Sequence, residues 1–279
     1  MITLANDQIA LTLDPDFGAR VTSLTDLATG RQWLVPGACV GGETYLGDQA
    51  RGWDECFPTV GVCAHSSWGG AMRDHGELWG RAWTVTHDAE SCVATCADPR
   101  FAFVRSLEIK GTTIIANYQV TNRGTDTLPY LWSQHALLAT TPADQIALQG
   151  ITGIEAGGQP VASPRNAARD LTFTIGTVDD AFAMKLYGHA EIAASAEVTG
   201  PDGGIRFDWS GAGIPAIGLW LDYGGWPPGA PVHQVALEPT TAPADDLAQA
   251  EANGQARQLA PGETHRWSVR ITLTPARHQ

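Results

Sequence analysis

Short segments in which apolar and polar residues alternate dominate the chain. This alternation sends successive side chains to opposite faces of a β-strand, so each segment predicts a strand with one buried face. Turn-forming residues separate the segments, as in Asn122–Gly124 and Pro201–Gly204. The predicted strands are Ile9–Leu13, Arg20–Leu24, Trp83–His87, Ser91–Ala97, Phe101–Ile109, Thr112–Val120, Leu171–Ile175, Ala181–Leu186, Ile205–Trp209, Ala216–Asp222, His233–Glu238 and His265–Leu273.

These strands predict an all-β fold. Each strand must bury one face, and two large stacked antiparallel sheets meet that need. The segments Phe101–Ile109 and Thr112–Val120 are typical of an antiparallel hairpin. One helix is expected at Pro243–Ala252, because a proline stands near its start and Asn253-Gly254 at its end. No repeat or low-complexity linker divides residues 1–279, so we expect a single domain.

Residues 41–80 depart from this rhythm. The stretch is long, weakly periodic and rich in glycine, tryptophan and charged residues. Long loops without strands of their own are usually functional. We therefore expect this region to form much of a binding surface.

The net charge, residues 1–10 and the length of the apolar stretches bear on which partners and locations to expect. The net charge is −13, from 17 basic and 30 acidic residues. This balance argues against nucleic acid or an anionic membrane as the main partner. The N-terminal residues 1–10 have neither a basic stretch nor an apolar core, so no secretory signal is expected. The longest apolar stretch, around Ile214–Leu221, is far too short to cross a bilayer.

The cysteines favour a reduced compartment. An odd number of cysteines without a secretory signal fits a cytoplasmic protein. Cys92 and Cys96 lie too far apart along one predicted strand for an easy disulfide. We expect structural thiols, with a zinc or redox role as the alternative. The five cysteines are Cys39, Cys56, Cys63, Cys92 and Cys96.

Three polar residues stand in apolar and aromatic surroundings. Glu238 follows the apolar run Val235–Leu237 and precedes Pro239. Proline cannot donate to a strand ladder, so the strand should stop or bulge there and hold the carboxylate at its end. His75 lies in RDHGELWGRAW and His135 in LPYLWSQHALLA. One carboxylate and two imidazoles predict acid–base chemistry on a small polar ligand.

Each of these residues also has a purely structural interpretation. Glu238 could form a cap or a salt bridge at the end of a strand. His135 could be a hydrogen-bonded core residue, and His75 a turn residue before Gly76. The remaining histidines show no metal-ligand spacing with acids or cysteines, so we expect structural or solvated roles for them. They are His65, His87, His189, His233, His265 and His278.

Taken together and in order, these motifs resemble the aldose 1-epimerases (galactose mutarotase-like proteins), in their shorter branch. No single motif is decisive, but their order and spacing cover nearly the whole chain. The stretches that carry the resemblance are Phe17–Leu34 (FGARVTSLTDLATGRQWL), Gly52–Gly61 (GWDECFPTVG), Asp74–Trp83 (DHGELWGRAW), and the runs WSQHALLA around His135 and VALEPTTAP around Glu238.

The resemblance implies a β-supersandwich fold and interconversion of the α and β anomers of a free monosaccharide by ring opening and closure. It implies Glu238 as the base, His135 as the acid, and His75 as a ligand of the ring oxygen or an adjacent hydroxyl. Neither a metal nor an organic cofactor is needed, and we expect a monomer or homodimer. The further residues expected to bind the sugar are Arg51, Trp53, Asp54, Glu55, Arg73, Arg81, Asp222 and Trp226.

The chain departs from the better-known galactose mutarotases in two places. Those proteins have an asparagine–arginine pair before the first histidine loop, where this chain has Arg51–Glu55. The stretch Leu219–Gly229 replaces their usual substrate loop. The identity of the sugar and the arginine that contacts it therefore stay open. Acids outnumber bases five to three in the presumed site loops, which favours a neutral sugar.

Three alternatives remain. An anomerase for a phosphorylated or sulfonated sugar needs at least two of the basic residues Arg51, Arg73, Arg81 and His65 to converge on the site. A non-catalytic sugar-binding protein has no need of an acid–base pair. A glycosidase usually needs two carboxylates across the scissile bond, and the sequence offers one convincing strand-end acid.

Overall fold

The structure is a computed structural model that describes residues 1–37, 45, 50–156, 159–160, 166–167 and 170–276. Its strands are Ile2–Ala5 (β1), Ile9–Asp14 (β2), Arg20–Asp26 (β3), Trp53–Cys56 (β4), Cys63–His65 (β5), Gly70–Met72 (β6), Thr84–His87 (β7), Ser91–Ala97 (β8), Phe101–Lys110 (β9), Thr113–Asn122 (β10), Leu128–Tyr130 (β11), Ser133–Leu138 (β12), Gln145–Ala156 (β13), Gln159–Pro160 (β14), Asn166–Ala167 (β15), Asp170–Thr174 (β16), Phe182–Gly200 (β17), Gly203–Ser210 (β18), Ala216–Tyr223 (β19), His233–Thr240 (β20), Arg257–Leu259 (β21) and Thr264–Thr274 (β22). The helix α1 is Leu247–Ala252, and two short 3₁₀ helices are Ser66–Trp68 and Val178–Asp180.

A continuous antiparallel ladder of 18 strands forms two layers. The first layer has the order β1-β2-β3-β4-β12-β20-β19-β17, and the second has the order β17-β18-β22-β10-β9-β8-β7. The long strand β17 belongs to both layers: residues 182–189 pair with β19 and residues 193–200 with β18. Its neighbour β13 shifts register between Gln149 and Ile151. Gly150 permits this bulge, because its φ is +64° and a Cβ would lie 2.1 Å from the Ala193 carbonyl oxygen.

Aromatic side chains fill the space between the layers. Trp132, which precedes β12 in the first layer, lies with its ring centroid 4.7 Å from Tyr118 on β10 and 5.0 Å from Trp267 on β22. Phe103 on β9 lies 6.1 Å from Trp267. Such aromatic pairs contribute about 0.5–1.5 kcal/mol each beyond the area they bury. This core gives the site a rigid floor.

Successive side chains of β4 point alternately into the core between the layers and toward the opposite face of the first layer. Trp53 and Glu55 point between the layers, whereas Asp54 and Cys56 point to the opposite face of the first layer. The Glu55 carboxylate accepts hydrogen bonds from Arg105 Nη1 (3.1 Å), Tyr118 Oη (3.2 Å), Trp132 Nε1 (2.9 Å) and Trp53 Nε1 (3.0 Å). Glu55 therefore ties the two layers together from inside the core.

The structure confirms the all-β prediction and every predicted strand, most of them within two residues of their predicted ends. The main difference is β17, which continues to Gly200 rather than ending near Leu186. The predicted helix start is wrong. Asp246 caps the helix by accepting from Gln249 N at 2.8 Å, so α1 begins at Leu247 and not at Pro243.

Two further expectations need correction. The stretch 41–80 contains β4 and the hairpin β5–β6, so its described part is not a loop without strands. The strand that carries Glu238 does not stop at Pro239 but continues to Thr240, paired with β19. None of the helices in the described part of the chain is long and apolar enough to cross a membrane.

Candidate active site

Asp54, His135 and Glu238 form a row across three neighbouring strands. His135 on β12 lies opposite Asp54 on β4. The register of β12 with β20, in which Ser133 faces Thr240, places His135 opposite Glu238. The three side chains project from the same face of the first layer, because directly paired residues in a sheet point to the same side.

Pro239 opens the ladder at this point. Between β12 and β20, pairing is present at Ser133–Thr240 and resumes at Leu137–Ala236, but not at the positions between them. Proline offers no N–H, so it cannot donate to a neighbouring strand. The pairing of β20 with β12 is therefore interrupted next to Glu238, as expected. The pairing of β20 with β19 continues through Pro239.

The His135 imidazole lies between two carboxylates. Its Nδ1 is 3.0 Å from Asp54 Oδ1, and its Nε2 is 4.0 Å from Glu238 Oε1. Asp54 and Glu238 are almost fully buried, and His135 is 7% exposed. Burial alone would raise the pKa of Asp54, but the charge and hydrogen bond of His135, helped by Arg20, hold it well below its usual range. Asp54 is thus an ionised partner that fixes the orientation of the ring.

Glu238 is held by a lysine. Lys185 Nζ on β17 lies 2.5 Å from Glu238 Oε2, and Ser133 Oγ donates to the same oxygen at 3.4 Å. Burial alone would raise the pKa of Glu238, but Lys185 and His135 together lower it. The second oxygen, Oε1, is buried and has no hydrogen-bond partner in the described part of the chain. Glu238 therefore presents an ionised, unpaired oxygen toward His135.

Gly218 makes the room for this pair. It lies on β19, opposite Glu238 on β20 and opposite Tyr187 on β17. A Cβ at this position would lie 3.2 Å from Glu238 Oε2, from Lys185 Cε and from Tyr187 Cε1. The missing side chain thus lets the lysine reach across the sheet to the carboxylate.

His75 comes to the row from a loop above the sheet. Its backbone has a φ of +60°, an uncommon conformation for a residue other than glycine. The turn is held by a hydrogen bond from His75 N to Val60 O at 2.6 Å and by Arg73, which donates to Gly76 O at 2.8 Å. Backbone strain of this kind, about 1–3 kcal/mol, tends to occur at functional sites.

The His75 ring faces His135. The two ring centroids are 4.7 Å apart, and Tyr45 stacks on His75 at 3.6 Å. His75 Nδ1 lies 3.0 Å from Asp74 Oδ1, while Nε2 is buried with no hydrogen-bond partner among the described residues. Burial lowers the pKa of His75, which favours the neutral ring with one nitrogen available to a ligand.

A cavity of about 250 Å³ lies over the row. Drug-sized ligands occupy cavities of about 300–1,000 Å³, so this one suits a smaller molecule. Its polar lining residues are His75, His135, Lys185 and Glu238 with Asp74, Gln234 and Asp245. Its apolar and aromatic lining residues are Ala50, Leu137, Trp220 and Trp226 with Tyr45 and Val60. A lining that combines charged and aromatic side chains matches a ring with hydroxyl edges and C–H faces.

The structure divides the predicted sugar-binding residues into three groups. His75 and Trp226 line the cavity. Asp54 lies beneath it as the partner of His135, and Asp222 accepts from Trp226 N at 3.1 Å and so holds the tryptophan in place.

The remaining predicted residues do not line the described cavity. Trp53 and Glu55 lie in the core between the layers. Arg51 donates to Pro36 O at 2.7 Å, Arg73 supports the His75 turn, and Arg81 pairs with Glu77 and Asp98.

Several residues that line the cavity were not among the predicted site residues. They include Tyr45, Lys185, Trp220, Gln234 and Asp245. Lys185 had a visible signal, because it is one of two lysines in the chain and interrupts an apolar strand. Gln234 has both amide atoms buried without a partner in the described structure, and it lies on the same face of β20 as Glu238, four positions away. Asp245 accepts from Tyr187 Oη at 2.5 Å, and nothing in its sequence context marks it.

One group of side chains in the described part of the chain could hold a metal ion. It consists of Cys56, His75 and His135. The described cysteines Cys56, Cys63, Cys92 and Cys96 are all free thiols, and Cys39 lies outside the described residues.

Comparisons with known proteins identify the fold. No family model and no curated protein matches the sequence. Among solved structures, a galactose mutarotase related enzyme from Lactobacillus acidophilus is 15% identical with a TM-score of 0.73, over 100% of this chain and 98% of that one. A galactose mutarotase-like protein from Lactobacillus casei is 17% identical with a TM-score of 0.69, over 98% and 99%.

A third similar structure is a suggested aldose 1-epimerase from Escherichia coli K12. It is 15% identical with a TM-score of 0.71, over 98% of both chains. At such low identities the likeness establishes the fold. The chain has the galactose mutarotase-like β-supersandwich that its motifs resemble.

Proposed function

We propose that the protein is a mutarotase that interconverts the α and β anomers of a free, neutral monosaccharide. The observation that carries the proposal is the row Asp54–His135–Glu238 at the floor of a sugar-sized cavity. An acid and a base whose reactive atoms are 4.0 Å apart can act on two oxygens bonded to one carbon. The anomeric hydroxyl and the ring oxygen of a cyclic sugar are such a pair.

The reaction needs two proton transfers. Glu238 Oε1 takes the proton of the anomeric hydroxyl, while His135 Nε2 gives a proton to the ring oxygen. The bond between the anomeric carbon and the ring oxygen then breaks, and the sugar opens to its aldehyde. After rotation about the adjacent carbon–carbon bond, the two groups exchange roles and the ring closes on the other face. Each positioned acid or base typically contributes about 100- to 10,000-fold.

The neighbouring residues prepare this pair. Lys185 keeps Glu238 ionised, and Asp54 keeps the His135 ring oriented with Nε2 toward the cavity. His75 Nε2 is placed to bind a sugar oxygen, and binding would satisfy a buried polar atom that otherwise lacks a partner. Trp220 and Trp226 supply an apolar wall for the C–H face of the ring.

The cavity favours a neutral sugar. Lys185 is the one lysine or arginine among the residues that line its described part, and its ammonium is already paired with Glu238. The arginines expected to converge on an anion support backbone or pair with other acids instead. An anionic sugar remains the second candidate, because Lys185 could contact a sugar carboxylate, phosphate or sulfonate if it left Glu238.

A panel of freshly dissolved pure anomers tests the proposal. Neutral hexoses, deoxyhexoses and pentoses are followed by polarimetry with and without protein, together with one sugar phosphate and one sulfonated sugar. We expect faster equilibration for at least one neutral sugar. A phosphate or sulfonate turned over at least about ten times more efficiently than its neutral parent would identify an anion-specific anomerase instead.

The proposal also distinguishes the enzyme from a binding protein. We expect His135→Asn to lower turnover and leave the fold intact, as measured by circular dichroism. Binding of the sugar without any acceleration of equilibration would favour the non-catalytic alternative. A cytoplasmic location remains a prediction from the odd number of cysteines.

A further inference from the structure

We propose that a soft divalent cation such as Zn²⁺ binds through His75 and His135, which line the cavity, and through the buried Cys56 next to them, and that the bound ion blocks anomer exchange. The inhibition rests on the proposed function, whereas the cation site stands on the geometry alone. The protein without the ion is the active form.

The three side chains already lie close together. One ligand atom from each lies within 4.8 Å of the other two, and all three residues are buried. Zinc binds nitrogen at about 2.0–2.1 Å and sulfur at about 2.3 Å in a tetrahedral arrangement, which sets ligand separations of about 3.3–3.6 Å. The distances between the ligand atoms therefore have to shorten by at most about 1.5 Å, which rotation of the side chains can provide.

The outer partners of both histidines suit metal binding. His75 Nδ1 lies 3.0 Å from Asp74 Oδ1, and His135 Nδ1 lies 3.0 Å from Asp54 Oδ1. Histidines that bind metals usually hold a carboxylate or carbonyl with their other nitrogen, which fixes the tautomer and makes the free nitrogen a better ligand. In each ring this leaves Nε2 for the ion.

One buried atom of the three proposed ligands lacks a partner and would gain one from the ion. It is His75 Nε2, which has no hydrogen-bond partner in the described part of the chain. Glu238 Oε1 is 4.0 Å from His135 Nε2 and lies outside the group of three, so it supplies a negative charge beside the ion. Carboxylates also outnumber the nearby cations, which are Arg20 and Lys185, so an added positive charge is favoured.

Cys56 makes the site selective and separable from catalysis. It follows Asp54 by two residues on β4, so its side chain lies on the same face of the sheet. Binding releases the thiol proton to solvent as the sulfur–metal bond forms. A thiolate ligand favours zinc over magnesium or calcium. The proposed proton transfers do not use Cys56.

Inhibition follows from the position of the ion. A cation on His135 Nε2 occupies the atom that would carry the proton for the ring oxygen. Zinc would thus prevent the proton transfer to the ring oxygen without changing the fold.

The test compares wild type with Cys56→Ala, and with Cys96→Ala as a control that removes a buried thiol from the other layer. Chelator-treated protein is titrated with Co²⁺ and followed by the thiolate-to-cobalt absorption band, then with Zn²⁺ and followed by anomer exchange. We expect a saturable band and chelator-reversible inhibition in wild type and in Cys96→Ala. Mg²⁺ should have no effect.

Cys56→Ala should keep its exchange rate, lose the band and become at least about tenfold less sensitive to zinc. Absence of the band in wild type, or unchanged zinc sensitivity in a folded Cys56→Ala, overturns the proposal. If Cys56→Ala fails to fold, Cys56→Ser and the absorption band of His75→Ala replace it. A band without any exchange activity would uphold the cation site and refute the proposed function, so the two failures are distinguishable.

Discussion

Lys185→Met should move the acidic limit of activity to higher pH. The substitution keeps an unbranched side chain but removes the ammonium 2.5 Å from Glu238 Oε2. In wild type the pKa of Glu238 lies below its ordinary value, because Lys185 and His135 more than offset the effect of burial. Without the lysine, burial opposes the charged form with less compensation, so the pKa of Glu238 rises.

The size of the effect can be estimated from the contact between the Lys185 ammonium and the Glu238 carboxylate. Two unit charges at 4 Å interact by about 4 kcal/mol at an effective dielectric constant of 20, and one pKa unit corresponds to about 1.4 kcal/mol. Glu238 is fully buried, but the Lys185 side chain is 17% exposed and partly screened by water. We therefore expect the pKa of Glu238 to rise, and the stabilisation lost with the lysine to lie below the value of about 4 kcal/mol for the idealised pair.

The assay follows from the direction in which the pKa of Glu238 changes. Glu238 must be ionised to act as a base, so activity is lost as the pH falls through its pKa. The exchange rate of wild type, Lys185→Met and the charge-preserving control Lys185→Arg is measured from acidic to neutral pH, after subtraction of the buffer-catalysed rate. The midpoint should move up in Lys185→Met and stay near the wild-type value in Lys185→Arg. A lower rate with an unmoved midpoint in Lys185→Met would refute this role of the lysine.

Four other perturbations test separate parts of the account. His135→Asn should lower turnover by about 100-fold or more, and a rise in KM with turnover intact would make His135 a binding residue. Gly218→Ala should lower turnover by about tenfold because its Cβ displaces Glu238 and Lys185, whereas the control Gly213→Ala should not. Glu55→Gln should destabilise the fold by about 3–5 kcal/mol, because it leaves a buried arginine without a charged partner. Urea unfolding is measured above pH 7, since burial raises the pKa of Glu55 to about 7; a stability near that of wild type would contradict this. Chelators alone should leave activity unchanged.

Much of the fold could be predicted because apolar and polar residues alternate along its strands. The segments Ser91–Ala97 and Phe101–Lys110 have one buried and one more exposed face, and their pattern is visible in the sequence. The strand Ser133–Leu138 escaped prediction because all of its residues are buried. Both of its faces are covered, by the core and by the site, so a period of two is absent.

The sequence singles out candidate residues for the site but does not give their geometry. Glu238 and His135 could be picked out, but only the strand register shows that they face each other. Asp54 and Glu55 are adjacent in the chain, yet the pleat sends one to the site and the other to the core. Lys185 lies 53 positions from Glu238 along the chain, and no local pattern predicts their pairing.

The most direct measurement of the central claim is the exchange between α and β anomers at equilibrium, followed by proton magnetisation transfer with Glu238→Gln and wild type side by side. The amide has nearly the same shape as the carboxylate but cannot take the proton. The account predicts enhanced exchange with wild type and only the uncatalysed rate with a folded Glu238→Gln. Exchange at the wild-type rate in the folded variant would remove Glu238 from the mechanism and contradict the account.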